Sequence, residues 1–386
     1  MIKTPKSLRI HIGIFGKRNT GKSSFLNSIT EQYTSIVSDV KGTTTDPIYK
    51  SVEIPEVGPV VFIDTAGFDE EGELGKLRVE KTKKVIDKCD GFIYLLSDDF
   101  ENEFLKLIKE KKKPIIYILS KSDKDDFEYR KEKYKNYNFL EFNSKDNLSK
   151  KIVLEKIKKT FKTKEERTIT QNLVKENDTV ILVMPQDIEA PKGRLILPQV
   201  STIREILDKK ANAICTGIEN LNSVLNSLKK DPDLIITDSK LFSQVYKIKP
   251  EKVKLTSFSV LFSAFKGDLK YFVDSVKKLD NPNTKKILIF EACSHPPVSE
   301  DIGTVKIPKM LKNKRCDLEI DFQRGDDFFD IEKYDLIIQC GSCMHNRSQV
   351  MSRVDESKRK NIAMTNYGIT IAYLNDILEK IALPEN

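Results

Sequence analysis

The sequence predicts an α/β protein of three domains built on parallel sheets. Two observations carry that expectation. Short apolar runs bounded by turn or charged residues recur along the chain, as buried parallel strands do. Segments of helical spacing alternate with them, and a Gly-rich loop joins the first run to the first such segment. With 386 residues, the chain is long enough for two or three ordinary domains.

The first block holds strands at 8–15, 60–63, 91–96 and 114–119, with helical spacing at 22–29, 73–88 and 101–112. It ends near Phe161, and the charged run 162–167 reads as a junction. A second block opens with a strand at 179–184 and a Pro- and Gly-punctuated loop at 185–198. It continues with a helix at 202–209, an apolar run at 211–217, a helix at 218–228, a strand at 232–238 and a short helix at 239–245. Such a small α/β unit is expected to gain burial from an oligomer contact. The third block starts near Ser257, with a helix at 269–278, strands at 286–290 and 334–338, and a last helix at 369–381. The expected domains are therefore 1–165, 166–256 and 257–386. No internal repeat of fixed period is visible.

Composition narrows the class. The hydrophobic fraction is 39%, which suits packed domains and not disorder. The 66 basic and 58 acidic residues leave a net charge of +8, but both signs are interleaved, so a solvated surface is expected and a nucleic-acid stripe is not. No run approaches the ~20 apolar residues of a membrane span. A soluble, cytoplasmic protein is expected, in which six cysteines are thiols or metal ligands and not disulfides.

Gly16-Lys17-Arg18-Asn19-Thr20-Gly21-Lys22-Ser23 fits the phosphate-binding pattern G-x-x-x-x-G-K-S, followed by Ser24, between a strand and a helix. The glycines let backbone N–H groups wrap the phosphates, and the helix N-terminus adds partial positive charge. Lys22 is expected at the β- and γ-phosphates, and Ser23 at Mg²⁺. Asp64-Thr65-Ala66-Gly67 supplies an Asp for the magnesium shell and a Gly amide for the γ-phosphate. Gly42-Thr43-Thr44-Thr45-Asp46 lies between, with Thr44 expected to close on Mg²⁺. Ser120-Lys121-Ser122-Asp123 selects guanine, because Asp123 can accept from N1 and the amino group while Lys121 covers the base. Ser144-Lys145 resembles the fifth guanine motif. These motifs predict a GTPase that cycles between GTP and GDP.

This first block resembles the GTPases related to MnmE and Era. That resemblance implies K⁺ held by Asn19, where the cation would offset charge developing between the β- and γ-phosphates. Slow, K⁺-stimulated hydrolysis is the corresponding expectation. The departure is Ser120, where the family usually has Asn or Thr. No Gln follows Gly67; Phe68 stands there, and Asp69, Glu70, Glu71 and Glu73 crowd the segment.

Cys293-Ser294-His295 and Cys340-Gly341-Ser342-Cys343 each follow an expected strand, so neighbouring parallel strands could unite them, with His345 two residues beyond Cys343. Four readings fit the spacing: a redox C-x-x-C, a Cys₃His zinc site, an iron–sulfur cluster, or unrelated packing cysteines. Cys89, Cys215 and Cys316 read as packing residues.

The whole chain, including the phrases "EACSHPPVSEDIGTVKIP", "IIQCGSCMHNR" and "TNYGITIAYL", resembles the HydF family of [FeFe]-hydrogenase maturation GTPases. The resemblance implies a dimerisation domain in the middle and a C-terminal iron–sulfur domain. There a [4Fe–4S] cluster would be held by Cys293, Cys340 and Cys343. The family often has His directly before the C-x-x-C pair, whereas this chain has Gln339, so His295, a carboxylate or solvent is left for the fourth position. It further implies a homodimeric scaffold or carrier for a transient diiron precursor, received from radical-SAM maturases and passed to apo-hydrogenase. The competing expectation is a tRNA- or ribosome-associated GTPase with a zinc site.

Overall fold

The computed structural model describes residues 5–17, 19–31, 47–65, 82–96, 103–162, 167–185, 195–292, 301–325 and 330–385. The chain divides into two compact units, Met1–Glu165 and Glu166–Asn386.

The first unit is a six-stranded sheet in the order β2-β3-β1-β4-β5-β6. Its strands are β1 (Ile10–Phe15), β2 (Ile48–Ile54), β3 (Gly58–Asp64), β4 (Gly91–Leu95), β5 (Ile115–Ser120) and β6 (Phe139–Phe142). Central β1 pairs in parallel with β3 and β4, and only β2 runs antiparallel, against β3. Period-two alternation splits the apolar residues between two faces. Ile12, Ile14, Val60 and Phe62 pack under the helices Lys22–Thr30 and Asn147–Phe161, with Phe25, Val153 and Ile157. Phe15, Val61 and Ile63 face Val85, Ile86 and Ile108 on the other side. Gly13 is required by this packing: a Cβ there would lie 2.3 Å from the Phe15 ring and 2.7 Å from Cys89 Sγ. Strand β6 and the antiparallel β2 were not anticipated. Both are only partly buried, with polar residues such as Lys50, Glu53 and Glu141 among the apolar ones, so they lack the continuous apolar signal.

The second unit contains two four-stranded sheets, β10-β9-β7-β8 and β12-β11-β13-β14, parallel throughout. The first comprises β7 (Thr179–Val183), β8 (Asn212–Thr216), β9 (Leu234–Thr237) and β10 (Lys254–Ser257). The second comprises β11 (Lys286–Glu291), β12 (Glu319–Arg324), β13 (Leu336–Gln339) and β14 (Ala363–Asn366). In both, the first strand pairs with the second and third, and the third with the fourth. The two halves of the unit therefore repeat one strand topology, although no fixed period is legible in the sequence. The details repeat as well. Asp-Leu-Ile-Ile leads into the third strand in each half, at 233–236 and 335–338, with the Asp just before it. Pro198 and Pro308 each occupy the first turn of the helix before the second strand. Ser257 and Asn366 each end the fourth strand and cap the next helix, accepting from Val260 N and Ile369 N.

One core joins the two sheets, running from Ile181, Val183, Ile235 and Val260 to Leu288, Phe290, Ile338 and Ile369. Part of the burial expected from an oligomer contact is thus supplied within the chain. The helix expected at 202–209 begins earlier, as Leu197–Asp208. The last helix is Tyr367–Leu374 and stops short of the expected 381, because Asp376 takes φ 56 and a short 3-10 turn follows. Among the described residues no helix is long and apolar enough to cross a membrane.

Candidate functional site: a phosphate loop and a cysteine loop

The phosphate loop leaves the buried end of β1. Gly16 takes φ 148, and a Cβ on it would sit 2.8 Å from Leu95 O, so only glycine fits. Asn19 and Gly21 also take positive φ, 63 and 94, before the helix starts at Lys22. Lys22 is buried, and its Nζ donates to Gly16 O at 2.8 Å and Lys17 O at 2.7 Å. The ammonium is therefore folded back over the loop it serves. Thr20 Oγ1 donates to Lys17 O at 2.8 Å, closing the same turn. Ser24 is exposed beside Ser23.

Ser23 Oγ donates to Asp64 Oδ2 at 2.8 Å, which unites the two expected Mg²⁺ residues. Asp64 is buried, and its Oδ1 has no hydrogen-bond partner among the described residues. Burial raises its pKa, against the Ser23 hydrogen bond and the Lys22 charge. A buried carboxylate with one unpaired oxygen beside a hydroxyl fits a hard divalent cation. Thr44 and Gly67 lie outside the described residues.

The base-binding side is tied to the same loop. Ser120 Oγ donates to Thr20 O at 2.6 Å, and Lys121 Nζ donates to Asn19 O at 2.7 Å. Ser120 thus anchors the phosphate loop despite replacing Asn or Thr. Arg130, which sequence reasoning missed, donates to Ser120 O and Lys121 O at 3.1 Å each and pairs with Asp126 at 3.2 Å. These bonds hold Lys121 in its left-handed conformation, φ 60. No local pattern marks a helical Arg as a clamp on a loop ten residues back. Asp123 is exposed. Ser28 Oγ donates to Ser144 O at 3.0 Å, and Lys145 N donates to Asn143 Oδ1 at 2.9 Å, placing the fifth motif beside the helix Lys22–Thr30. A cleft of about 590 Å³ is bordered by Lys17, Asn19, Thr20, Lys121 and Arg130.

The cysteine loop belongs to the second unit. Strands β11 and β13 run side by side, with Phe290 opposite Gln339. Cys340 N donates to Phe290 O at 2.9 Å, and Ala292 N donates to Cys340 Sγ at 3.2 Å. Cys340 and Cys343 are both half-buried. Their thiols, one already accepting an N–H, fit a thiophilic metal group. Cys293 and His295 lie outside the described residues; Cys293 is the residue after Ala292. Among the described residues no group of three or more His, Cys, Asp or Glu side chains gathers as a metal site. Gln339 is buried and donates to Ser342 Oγ. His345 is buried as well. Nearby, Tyr367 OH donates to Glu291 Oε1 at 3.2 Å, and Arg324 pairs with Glu291 at 2.8 Å. Burial raises the Glu291 carboxyl, helped by Asp301.

Cys89 is fully buried, as expected of a packing residue, and burial drives its thiol pKa far up. Cys215 and Cys316 are exposed, which corrects the packing expectation for both. Cys215 lies on the half-exposed strand β8, and Cys316 precedes the half-exposed β12 among charged residues.

The order of the six strands, the glycine loop, the Ser23–Asp64 pair and the guanine motif define a P-loop GTPase joined to a duplicated α/β unit. The family comparisons agree with each part. Residues 11–121 match the 50S ribosome-binding GTPase model, residues 169–267 the hydrogen maturase F dimerization domain, and residues 270–384 the hydrogen maturase F tetramerization domain. The chain belongs to the hydrogen maturase F (HydF) family, and it carries a GTPase domain followed by dimerization and tetramerization domains. Curated relatives include the tRNA modification GTPase MnmE of Helicobacter pylori. It is 32% identical over 221 residues, which cover 55% of this chain and 46% of that protein. GTPase Der of Wolinella succinogenes is 37% identical over 122 residues, covering 30% and 26%. The chain therefore spans less than half the length of these relatives. A solved structure of Aquifex aeolicus Era bound to GDP.AlF4- covers 54% of this chain and 93% of its own, at 16% identity and a TM-score of 0.33.

Proposed function

We propose that this protein is a GTP-hydrolysing iron–sulfur scaffold of [FeFe]-hydrogenase maturation. In this reading Cys293, Cys340 and Cys343 hold a [4Fe–4S] cluster, whose open iron position would take a bridging ligand of a diiron cargo. The cargo comes from radical-SAM maturases and passes to apo-hydrogenase, in the cytoplasm. The observation that carries the reading is the 3.2 Å hydrogen bond from Ala292 N to Cys340 Sγ, which supports a meeting of the two cysteine-bearing strand ends. The two hydrogen maturase F domain matches support the same assignment.

The GTPase unit would act as the regulator. Ser23 and Asp64 hold Mg²⁺, Lys22 binds the β- and γ-phosphates, and Asp123 reads guanine. Asn19, with its left-handed backbone at the phosphate loop, would hold K⁺. Thr44 would close on the metal and the Gly67 amide on the γ-phosphate. The first repeat, with its last helix Phe258–Lys266, would form a homodimer contact, and the second repeat the cluster domain.

The test is metal analysis of protein purified and reconstituted without oxygen, with EPR of the dithionite-reduced sample. About four irons and four sulfides per chain, lost in Cys340→Ala, are expected for such a cluster. Stoichiometric zinc without iron would overturn the reading.

A further inference from the structure

The helix Phe258–Lys266 follows the last strand of the first repeat, and its final residue reaches into the second repeat. Lys266 is only 2% exposed. Its Nζ donates to Ser342 O at 3.2 Å, Cys343 O at 3.0 Å and His345 O at 2.7 Å. Three carbonyl acceptors match the three donors of an ammonium. The loop's own helix replies: Arg347 Nη1 donates to Phe265 O at 3.2 Å and Gly267 O at 3.0 Å. Two cations, through five contacts to carbonyls, therefore lock the end of one helix to the cysteine loop.

The lock fixes peptide planes. No peptide bond here is cis, so each carbonyl turned toward Lys266 turns the following N–H the other way. The N–H groups of Cys343 and Met344 are thus directed away from the ammonium. Amide dipoles and charge next to metal-binding sulfurs tune both affinity and potential. Ser342 sits at φ 47, a conformation that a non-glycine residue holds only when its surroundings enforce it.

The duplication supplies an independent comparison. Counted from Phe258 and from Tyr367, the position of Lys266 in the second repeat is Asn375. Asn375 Oδ1 accepts from Ser243 Oγ at 3.0 Å, in the helix after β9. Each repeat thus ends its last helix on the segment after the other repeat's third strand. A neutral amide serves where that segment has no cysteines. A buried ammonium stands where it carries Cys340 and Cys343.

We propose that Lys266 is a positioning residue for the cysteine loop. It fixes the peptide planes at Ser342, Cys343 and His345 and sets a positive charge at the carbonyl of Cys343. That charge makes a thiolate-bound cluster easier to reduce and slower to leave. The proposal rests on the iron–sulfur reading above.

The test uses the full chain, as wild type, Lys266→Met and Lys266→Arg. Amide hydrogen exchange is measured on cluster-free protein, and midpoint potential and iron loss to a ferrous chelator on reconstituted protein. Lys266→Met is expected to exchange faster at 340–346 alone, to show a more negative potential and to lose iron about 10-fold faster. Lys266→Arg should restore most of the potential. Exchange and potential equal to wild type in Lys266→Met would overturn the proposal. A wild type that binds no iron would overturn the cluster reading instead, while exchange still decides the role of Lys266 in the loop. Should Lys266→Met not fold, reductive methylation of the wild type carries the test. Lys266 unmodified while exposed Lys270 reacts supports the lock, and equal modification overturns it.

Discussion

Ser23 Oγ and Asp64 Oδ2 meet at 2.8 Å although 41 positions separate them in sequence. The parallel pairing of β1 with β3 makes this possible, since it brings the loops after both strands to the same sheet edge. Asp64 is buried with one oxygen unpaired among the described residues, so it is costly to hold ionised until a cation arrives.

Asp64→Asn should therefore separate stability from activity. Burial raises the Asp64 pKa, so the native state binds that proton more tightly than the unfolded chain. Metal-free stability then falls as pH rises from the ordinary carboxylate range through the raised value. Without metal, Asp64→Asn should unfold at a higher temperature than wild type at neutral pH. GTP hydrolysis should fall by about 100-fold or more, the scale of losing one preorganised electrostatic group. Hydrolysis at the wild-type rate would exclude Asp64 from the metal site.

Asp123→Asn should change the base that is read. A carboxylate accepts from guanine N1–H and the amino group, whereas an amide can donate to the extra carbonyl of xanthine. Losing two charge-assisted bonds predicts GTP binding weaker by about 100-fold or more, with XTP gaining. Competition between GTP and XTP against a fluorescent nucleotide checks this.

Ser120→Ala should act differently, because the Ser120 hydroxyl is bound to Thr20 O at 2.6 Å and so serves the loop. One lost hydrogen bond of about 1 kcal/mol predicts roughly 5-fold weaker binding. The loss should be equal for GTP, GDP and XTP by calorimetry. A base-dependent loss would assign Ser120 to base recognition instead.

Potassium dependence is tested by hydrolysis in KCl against NaCl at equal ionic strength. The wild type should be faster in KCl, and Asn19→Ala should erase the difference. Equal rates for the wild type in both salts would remove K⁺ from the mechanism.

Thiol labelling of the native chain should separate the cysteines. Cys215 and Cys316 are exposed and should react with iodoacetamide. Cys89 should stay unmodified, because burial holds it as the neutral thiol. Mass spectrometry of the labelled peptides reads the pattern.

The sequence by itself determined the parts whose chemistry is local. The glycine loop from Gly16 to Ser23, Asp64 at a strand end, and the guanine motif from Ser120 to Asp123 are contiguous patterns, because phosphate and base recognition use consecutive backbone groups. The central strands were equally legible, β4 because burial on both faces leaves a continuous apolar run, and β1 because its isoleucines alternate along the chain. Tertiary structure alone decided the rest. Edge strands β2, β6 and β12 alternate too weakly to be read, and their pairing comes from the neighbour. The duplication in the second unit survives in strand order and caps, while loops of different length hide its period. Arg130 and Lys266 carry no motif, because each acts on carbonyls that only folding brings within reach.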